Sequence, residues 1–501
     1  MAFLEMKHIT KRFNTVVANE DVSLSIEKGE VHALLGENGA GKSTLMNILY
    51  GLYSQTEGEV YLRGEQVHIK DPRHAIDLGI GMVHQHFMLI PALTAIENVV
   101  LGMKENKAVI DLKTAAKEFT AMAKKYNMEI DPWIKVEDLS VGQQQRLEIL
   151  KALYRKADLL ILDEPTACLT PQEVKSLFEM VRMLTAEGHT VIFIGHKLAE
   201  IMTICDRCTV LRLGKVAATM SMSEVVSKEQ LASLMVGKEV ELETKISEPK
   251  LGDEILKTED MCCLNDNKQL ALDHISFTLR KGEILGVCGV DGNGQSELIK
   301  CITGLHKITE GKCIIGGEDC TNRKPKEILS KKVSHIPEDR HKMGMIKDMN
   351  INENLILMSY DKEPYSKNGI LNWKWIDKHS DEICKTYSVK TPDIFEKAGN
   401  LSGGNQQKFV VGREIDREPE LLIAVHPSRG LDIGATKYVQ SKMVEERDRG
   451  AGVLMVSTEL DEIIELSDRI MVMFDGKIMG IVNQKEASRE TLGKMMAGIV
   501  E

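Results

Sequence analysis

Short apolar runs recur along the chain, separated by charged and helix-patterned stretches. Residues 31–35 (VHALL), 81–83 (GMV), 159–162 (LLIL) and 191–194 (VIFI) are examples. Each is strand-sized, rich in branched side chains and bounded by Gly or by acidic residues, the pattern of a strand buried on both faces of a parallel sheet. Longer helix-patterned stretches alternate with them, most densely between residues 95 and 154, which predicts a helical subdomain. Strands alternating with helices predict an α/β core. The apolar runs, such as 453–456, fall far short of the ~20 residues a membrane helix requires. Residues 1–12 hold no apolar stretch of signal-peptide length. The expectation is a protein whose membrane role, if it has one, passes through a partner.

The chain also repeats itself. Residues 29–46 (GEVHALLGENGAGKSTLM) read like residues 282–299 (GEILGVCGVDGNGQSELI), at an offset of 253. Residues 139–146 (LSVGQQQR) match 401–408 (LSGGNQQK), and 159–166 (LLILDEPT) match 421–428 (LLIAVHPS), both at 262. This is a tandem duplication of domain-sized units, with nine extra residues in the second copy. Residues 239–255 are charged, hold Pro249 and Gly252 and lack an apolar period, which is a linker composition. The expected division is a first domain over 1–238, a linker over 239–255 and a second domain over 256–501.

A length of 501 residues alone suggests about three domains; the repeat replaces that with two. The net charge of −11 is spread evenly, 29 basic against 34 acidic residues up to position 250 and 35 against 41 beyond it. Neither half is a basic module that grips a nucleic-acid backbone. Ten cysteines without a secretion signal point to reduced thiols. The pair Cys205 and Cys208 reads as structural, since the second copy has Ser467 and Ile470 there and no second ligand pair lies nearby.

The chemistry concentrates at residues 36–44, which fit G-x-x-x-x-G-K-[ST] in full and sit between a strand and a helix. Gly36, Gly39 and Gly41, with Asn38 between them, let backbone N–H groups approach phosphates, and the helix N-terminus adds positive potential. Lys42 reaches β- and γ-phosphates, the Ser43 hydroxyl can ligate Mg²⁺, and Thr44 continues into the helix. Asp163 ends a strand and can hold the same metal; Glu164 beside it can polarise a water.

Together, the phosphate loop, LSVGQ, LDEPT and the downstream His196 resemble ATP-binding-cassette (ABC) ATPases, across nearly the whole chain. The resemblance implies two tandem P-loop ATPase domains, each a RecA-like α/β core with an antiparallel β lobe and a helical subdomain, with ATP and Mg²⁺ as cofactors. It implies that Gln85 touches the metal and senses a membrane partner, and that His196 meets the γ-phosphate. Ser140, Gly142 and Gln143 form a signature that caps the phosphate of the opposite cassette. Phe13 falls where the family stacks an aromatic on adenine, although an ordinary core Phe fits there nearly as well. His84 and His86, flanking Gln85, read as packing or polar contacts.

The second copy keeps Gly289, Gly294 and Ser296 but has Gln295 for the lysine, Val425 and His426 for the acidic pair, Thr458 for His196, Glu338 for Gln85 and Asp266 for Phe13. Its signature, Ser402, Gly403, Gly404 and Asn405, survives, as does Asp432, where the first copy has Thr170. Cassettes of this family close head-to-tail. The resemblance therefore implies a hydrolytic site built from Lys42, Ser43, Asp163, Glu164 and His196 with Ser402, Gly403, Gly404 and Asp432. A degenerate site would combine Gly289, Gly294, Gln295 and Ser296 with Ser140, Gly142 and Gln143. The tether favours an intrachain dimer of the two cassettes.

Residues 337–342 (PEDRHK) and LSGGNQQK resemble importers of monosaccharides and nucleosides, where one chain carries both cassettes. GVDGNGQSEL, VHPSRGLD and MVHQHFML point within that group to lipoprotein-dependent nucleoside uptake. The implied partners are two permease subunits and, indirectly, a substrate-binding lipoprotein, with no nucleic acid. The implied location is peripheral, at the cytoplasmic face of the cell membrane. Residues 95–98 and the stretch after Gln85 are the expected permease contact. A ribose or galactose importer is the alternative, and a tandem-cassette translation factor at the ribosome a second one.

Overall fold

The computed structural model describes all residues except 1, 15, 85, 86, 104–110, 167, 168, 170, 196, 238–245, 266, 291, 500 and 501. The chain divides into two compact units, Met1–Leu242 and Glu243–Glu501.

In the first unit, Val31–Leu35 is buried at all five positions and lies inside a six-stranded sheet. The order across that sheet is Lys215–Ser221, Arg207–Arg212, Val31–Leu35, Thr190–Ile194, Leu159–Asp163 and Ile80–Val83. All pairings are parallel except the edge hairpin Arg207–Arg212 with Lys215–Ser221. Its inner strands are largely apolar because both faces are covered, with buried polar exceptions such as His32, Thr190 and Thr209. A separate antiparallel sheet runs Val16–Ile26, Leu4–Phe13, Glu57–Leu62, Glu65–Val67. The helix Lys42–Leu49 packs between the two sheets through Leu45, Met46, Ile48 and Leu49. The helices Ala95–Val100, Leu112–Lys125 and Val141–Tyr154 form the helical subdomain expected from the pattern.

The second unit repeats this plan. Its six-stranded sheet runs Val333–Ile336, Leu421–Val425, Gly452–Val456, Ile284–Cys288, Arg469–Phe474, Lys477–Asn483. Its antiparallel sheet runs Leu270–Arg280, Glu254–Leu264, Glu310–Ile315, Glu318–Asp319. The extra residues enter in steps. The offset is 253 at the matched strands Ile80–Val83 and Val333–Ile336, 256 at the helix caps Thr94 and Asn350, and 261 at the helices Leu112–Lys125 and Trp373–Thr386. The first step falls where Arg340–Gly344 forms a π-helical turn capped by Asp339, and the second where Ser366–Lys367 and Ile370–Leu371 pair as a hairpin.

Of the expected contact stretch 95–98, Ala95, Ile96 and Asn98 are buried and Glu97 is half-buried. The Asn98 amide is spent internally: it accepts from Ile90 N at 2.8 Å and donates to the carbonyls of Ile90, Leu93 and Thr94. Asn354 repeats the clamp on Ile346, Met349 and Asn350. The exposed apolar side chains nearby are Met88, Ile90 and Leu101. Cys205 and Cys208 are buried free thiols, and burial pushes Cys208 up to about 11, which fits the structural reading.

Candidate nucleotide sites

In the first unit the strand Val31–Leu35 feeds the phosphate loop, and Gly41 caps the helix Lys42–Leu49 at φ 98°. The glycines are required sterically. A Cβ on Gly36 would lie 2.4 Å from the Leu211 carbonyl, and one on Gly41 would lie 2.4 Å from Asn19 Nδ2. Asn19, fully buried, donates to the Gly41 carbonyl at 3.2 Å and so braces the loop from behind. Sequence reasoning missed it, since nothing local marks a residue 22 positions before Gly41.

Lys42 curls over its own loop, donating from Nζ to the Gly36 carbonyl at 2.6 Å and the Glu37 carbonyl at 3.0 Å. Burial lowers its ammonium below the usual lysine value, opposed by the charges of Glu164, Asp163 and Glu37. Asp163 ends its strand half-buried. Burial, then the neighbouring Glu164 charge, push its carboxyl up to about 6, with Lys42 opposing. A desolvated carboxylate beside a second one is a poor place for bare charge and a good place for a divalent cation. Ser43 is exposed. The donor set of a hydroxyl and a carboxylate fits Mg²⁺, a hard oxygen-seeking ion. Glu164 adopts φ 48° and donates its backbone N–H to the Ile194 carbonyl at 2.9 Å. Asn38 and Gly39 are exposed on the loop, and Thr44 is half-buried in the first helical turn.

Phe13 is exposed rather than part of the core. It meets Tyr53 edge-on at 5.2 Å between ring centroids, with Lys11 Nζ 4.9 Å from its own centroid, which is the exposure a stacking platform needs. Gln85, His86, His196, Thr170 and Asp266 lie outside the described residues.

The second unit reproduces this site with different chemistry. Gln295 donates Nε2 to the Val290 carbonyl at 3.2 Å, the counterpart of Lys42 on Glu37. Gly294 caps its helix at φ 98°, as Gly41 does, and a Cβ on Gly289 would meet Gln295 Nε2 at 2.2 Å. His426 holds φ 45° and donates its backbone N–H to the Val456 carbonyl at 2.7 Å, the posture of Glu164. A cavity of about 150 Å³ remains, lined in part by Gln295, Ser296, Glu338, Val425, His426 and Thr458. Ser296 Oγ donates to Glu338 Oε2 at 3.3 Å, and the other Glu338 oxygen pairs with Arg429 Nη1 at 3.3 Å. Arg429 was not anticipated, since the partners are 91 residues apart.

The signatures sit at helix starts. Ser140 and Gln143 form a reciprocal capping box on Val141–Tyr154. A Cβ on Gly142 would lie 2.0 Å from Glu173 Oε1. Ser402 caps Gly403–Asp416 and its Oγ accepts from Asn405 Nδ2 at 2.9 Å. Asp432 caps Ile433–Asp448 through Ala435 N at 2.7 Å, and its Oδ2 lies 3.5 Å from where a Gly404 Cβ would be.

The ABC transporter family matches twice, over residues 19–167 and 272–428, spanning more than half of the chain and both phosphate loops. The chain belongs to the ABC transporter family. Its two units are therefore ABC cassettes, the first with intact motifs and the second with altered ones. The chain is similar to the guanosine import ATP-binding protein NupO of Bacillus subtilis, 49% identical over 496 residues, which is 99% of this chain and 97% of that protein. It is 46% identical to the nucleoside import ATP-binding protein NupA of Lactococcus lactis, covering 99% of this chain and 98% of that protein. A ribose import ATP-binding protein, RbsA of Clostridium tetani, is 37% identical over 98% of this chain and 97% of that protein. Among the described residues, no helix is long and apolar enough to cross a membrane.

Proposed function

We propose that this chain is the ATP-hydrolysing subunit of an importer that carries nucleosides across the cell membrane. It works at the cytoplasmic face, bound to two permease subunits that a substrate-binding lipoprotein supplies. The observation that carries the substrate is the full-length similarity to guanosine and nucleoside import subunits, well above that to the ribose subunit.

In this reading one composite site hydrolyses. Lys42 leaves its loop carbonyls for the β- and γ-phosphates, trading two neutral acceptors for anionic oxygens. The helix Lys42–Leu49 points its N-terminus at the same charge. Mg²⁺, held by Ser43, Asp163 and Gln85, supplies charge neutralisation at the phosphates. Glu164 accepts the proton of the attacking water, and His196 steadies the γ-phosphate. Ser402, Gly403, Gly404 and Asp432 close over this site, while Ser140, Gly142 and Gln143 close over Gly289, Gly294, Gln295 and Ser296. ATP bridges the cassettes, and its cleavage at the first site lets them part, a cycle transmitted to the permeases through the helical subdomains.

Reconstitution with the permeases and lipoprotein in vesicles tests this. ATPase stimulated by guanosine and other nucleosides, and not by ribose, is the expected result. Stimulation by ribose alone would move the substrate to the sugar alternative. Stimulation by ribosomes without permease association would overturn the importer reading.

A further inference from the structure

In a regular strand, neighbouring side chains point to opposite faces of the sheet. The antiparallel sheet of the second cassette breaks that rule at Asp273 and His274. The pairing of Glu254–Leu264 with Leu270–Arg280 shifts register between Met261 opposite Ile275 and Cys263 opposite Leu272, and His274 takes φ 54° inside the shift. A bulge of this kind re-aims side chains. Here it gathers three metal-ligating groups, one donor atom each from Cys262, Asp273 and His274, all within 4.8 Å of one another. Asp273 Oδ1 stands 3.8 Å from His274 Nε2, and the His274 backbone N–H donates to Cys262 Sγ at 3.3 Å. Cys262 is buried, Asp273 half-buried and His274 exposed, so the donors run from the interior to the surface. Asp273 and His274 line a recess of about 340 Å³ together with Ser276, Lys477 and Ile478.

The first cassette has the same bulge with different donors. Asp21 takes φ 53° and gives its backbone N–H to Thr10 Oγ1 at 3.1 Å, and Glu20 pairs with Lys215 at 3.2 Å. Cys262, Asp273, His274 and Lys477 make the matching contacts in the second. A hydroxyl thus suffices at the bulge, and the fold requires neither a thiol there nor an imidazole beside it. Thiolate, imidazole and carboxylate are a donor set of zinc, and the ligands of a tetrahedral zinc at ~2.0–2.3 Å stand about 3.3–3.7 Å apart. The three donors already lie within about 1 Å of that spacing. The backbone N–H on Cys262 Sγ favours the thiolate. Lys477 Nζ holds the other Asp273 oxygen, Oδ2, at 3.1 Å, which orients the carboxylate and leaves Oδ1 beside the imidazole. The Lys477 charge opposes a cation, but its side chain is 61% exposed and water screens it. Thiolate and carboxylate together bring two negative charges.

We propose that Cys262 Sγ, Asp273 Oδ1 and the His274 imidazole bind one Zn²⁺ on the antiparallel sheet of the second cassette, with a fourth position open to water from the recess. On binding, the Cys262 thiol gives its proton to water and His274 coordinates as the neutral imidazole, its exposed ring closing the remaining distance. The ion cross-links the strands Glu254–Leu264 and Leu270–Arg280 at their bulge. Its sulfur ligand separates it from the oxygen-bound Mg²⁺ of the nucleotide site.

The test uses the full-length chain, stripped of metal by a chelator, kept reduced and free of nucleotide, and titrated with Zn²⁺ or with Co²⁺ as its spectroscopic stand-in. One Zn²⁺ per chain retained through dialysis against excess Mg²⁺ is expected. The Co²⁺ form shows a thiolate charge-transfer band in the near ultraviolet and the visible bands of a tetrahedral ion. Cys262→Thr, which keeps an acceptor for the His274 N–H, removes the thiolate band. His274→Asn, which tolerates the left-handed backbone, serves should Cys262→Thr fail to fold. Each weakens Zn²⁺ binding by more than the roughly 10- to 100-fold that loss of a supporting group alone costs. Cys205→Ser, at the other close pair of thiols, changes neither reading. Zn²⁺ raises the urea midpoint of the second cassette in the parent and not in Cys262→Thr. A parent that retains no Zn²⁺, or whose Co²⁺ spectrum lacks the thiolate band, would overturn the proposal. So would binding that survives Cys262→Thr or His274→Asn unchanged, or that Cys205→Ser abolishes.

Discussion

Replacing Asp163 with Asn removes a carboxylate that the fold holds at a cost. Its folded value is about 6, against 3.8 when unfolded, because burial and the Glu164 charge disfavour ionisation. A folded value above the unfolded one means the folded state holds its proton longer. Stability from this group is full below about pH 4, falls as pH rises through 6, and is flat above that. The difference of about 2 units is about 3 kcal/mol at pH 8, and roughly half that at pH 5, where the folded group is still largely protonated. Without nucleotide or metal, Asp163→Asn is therefore more stable than the parent by about 3 kcal/mol at pH 8 and about half that at pH 5. Urea unfolding of the first cassette at both pH values measures this, with the second cassette's transition as the unchanged reference. Adding ATP and Mg²⁺ reverses the order, since the parent alone gains a metal-bound carboxylate. A parent and variant with the same pH dependence, or a variant less stable at pH 8, would refute the reasoning.

Further outcomes follow from the same structure. Glu164→Gln lowers ATPase turnover about 10²- to 10⁴-fold, the worth of a general base, while His426→Gln, at the matching turn of the cassette that does not hydrolyse, leaves turnover near the parent's; a steady-state phosphate-release assay compares them. Asn98→Ala strips the clamp from Ile90, Leu93 and Thr94 and costs about 2–3 kcal/mol, read as faster amide exchange at Ile90 and a lower urea midpoint. Gly36→Ala abolishes nucleotide binding, because the new methyl overlaps the Leu211 carbonyl and the loop must shift; fluorescent-nucleotide titration reads the loss.

The parallel strands were legible because strands covered on both faces carry few polar positions to confuse the pattern, as in Leu159–Asp163, whose first four residues are apolar and buried. The first phosphate loop was legible because Gly36 and Gly41 answer to contacts that no other residue tolerates. The burial of Ala95, Ile96 and Asn98 was not legible because a helix start with a Glu and an Asn reads as solvated; only the packed loop beneath it shows that the Asn98 amide faces inward. The bracing of the loop by Asn19 and the Arg429–Glu338 pair depend on strands that meet across the fold, and sequence spacing carries no trace of such meetings.

The turns after the strands Leu159–Asp163 and Leu421–Val425 give the two cassettes something to compare. Glu164 at φ 48° and His426 at φ 45° share one left-handed posture and one backbone hydrogen bond, although the second has lost the carboxylate. The left-handed bend, worth roughly 1–2 kcal/mol for a residue with a Cβ, has outlasted the chemistry it serves in the first copy. It is a property of the scaffold. The second cassette thus resembles a disused socket more than a collapsed one, and a carboxylate returned to position 426 would arrive already aimed.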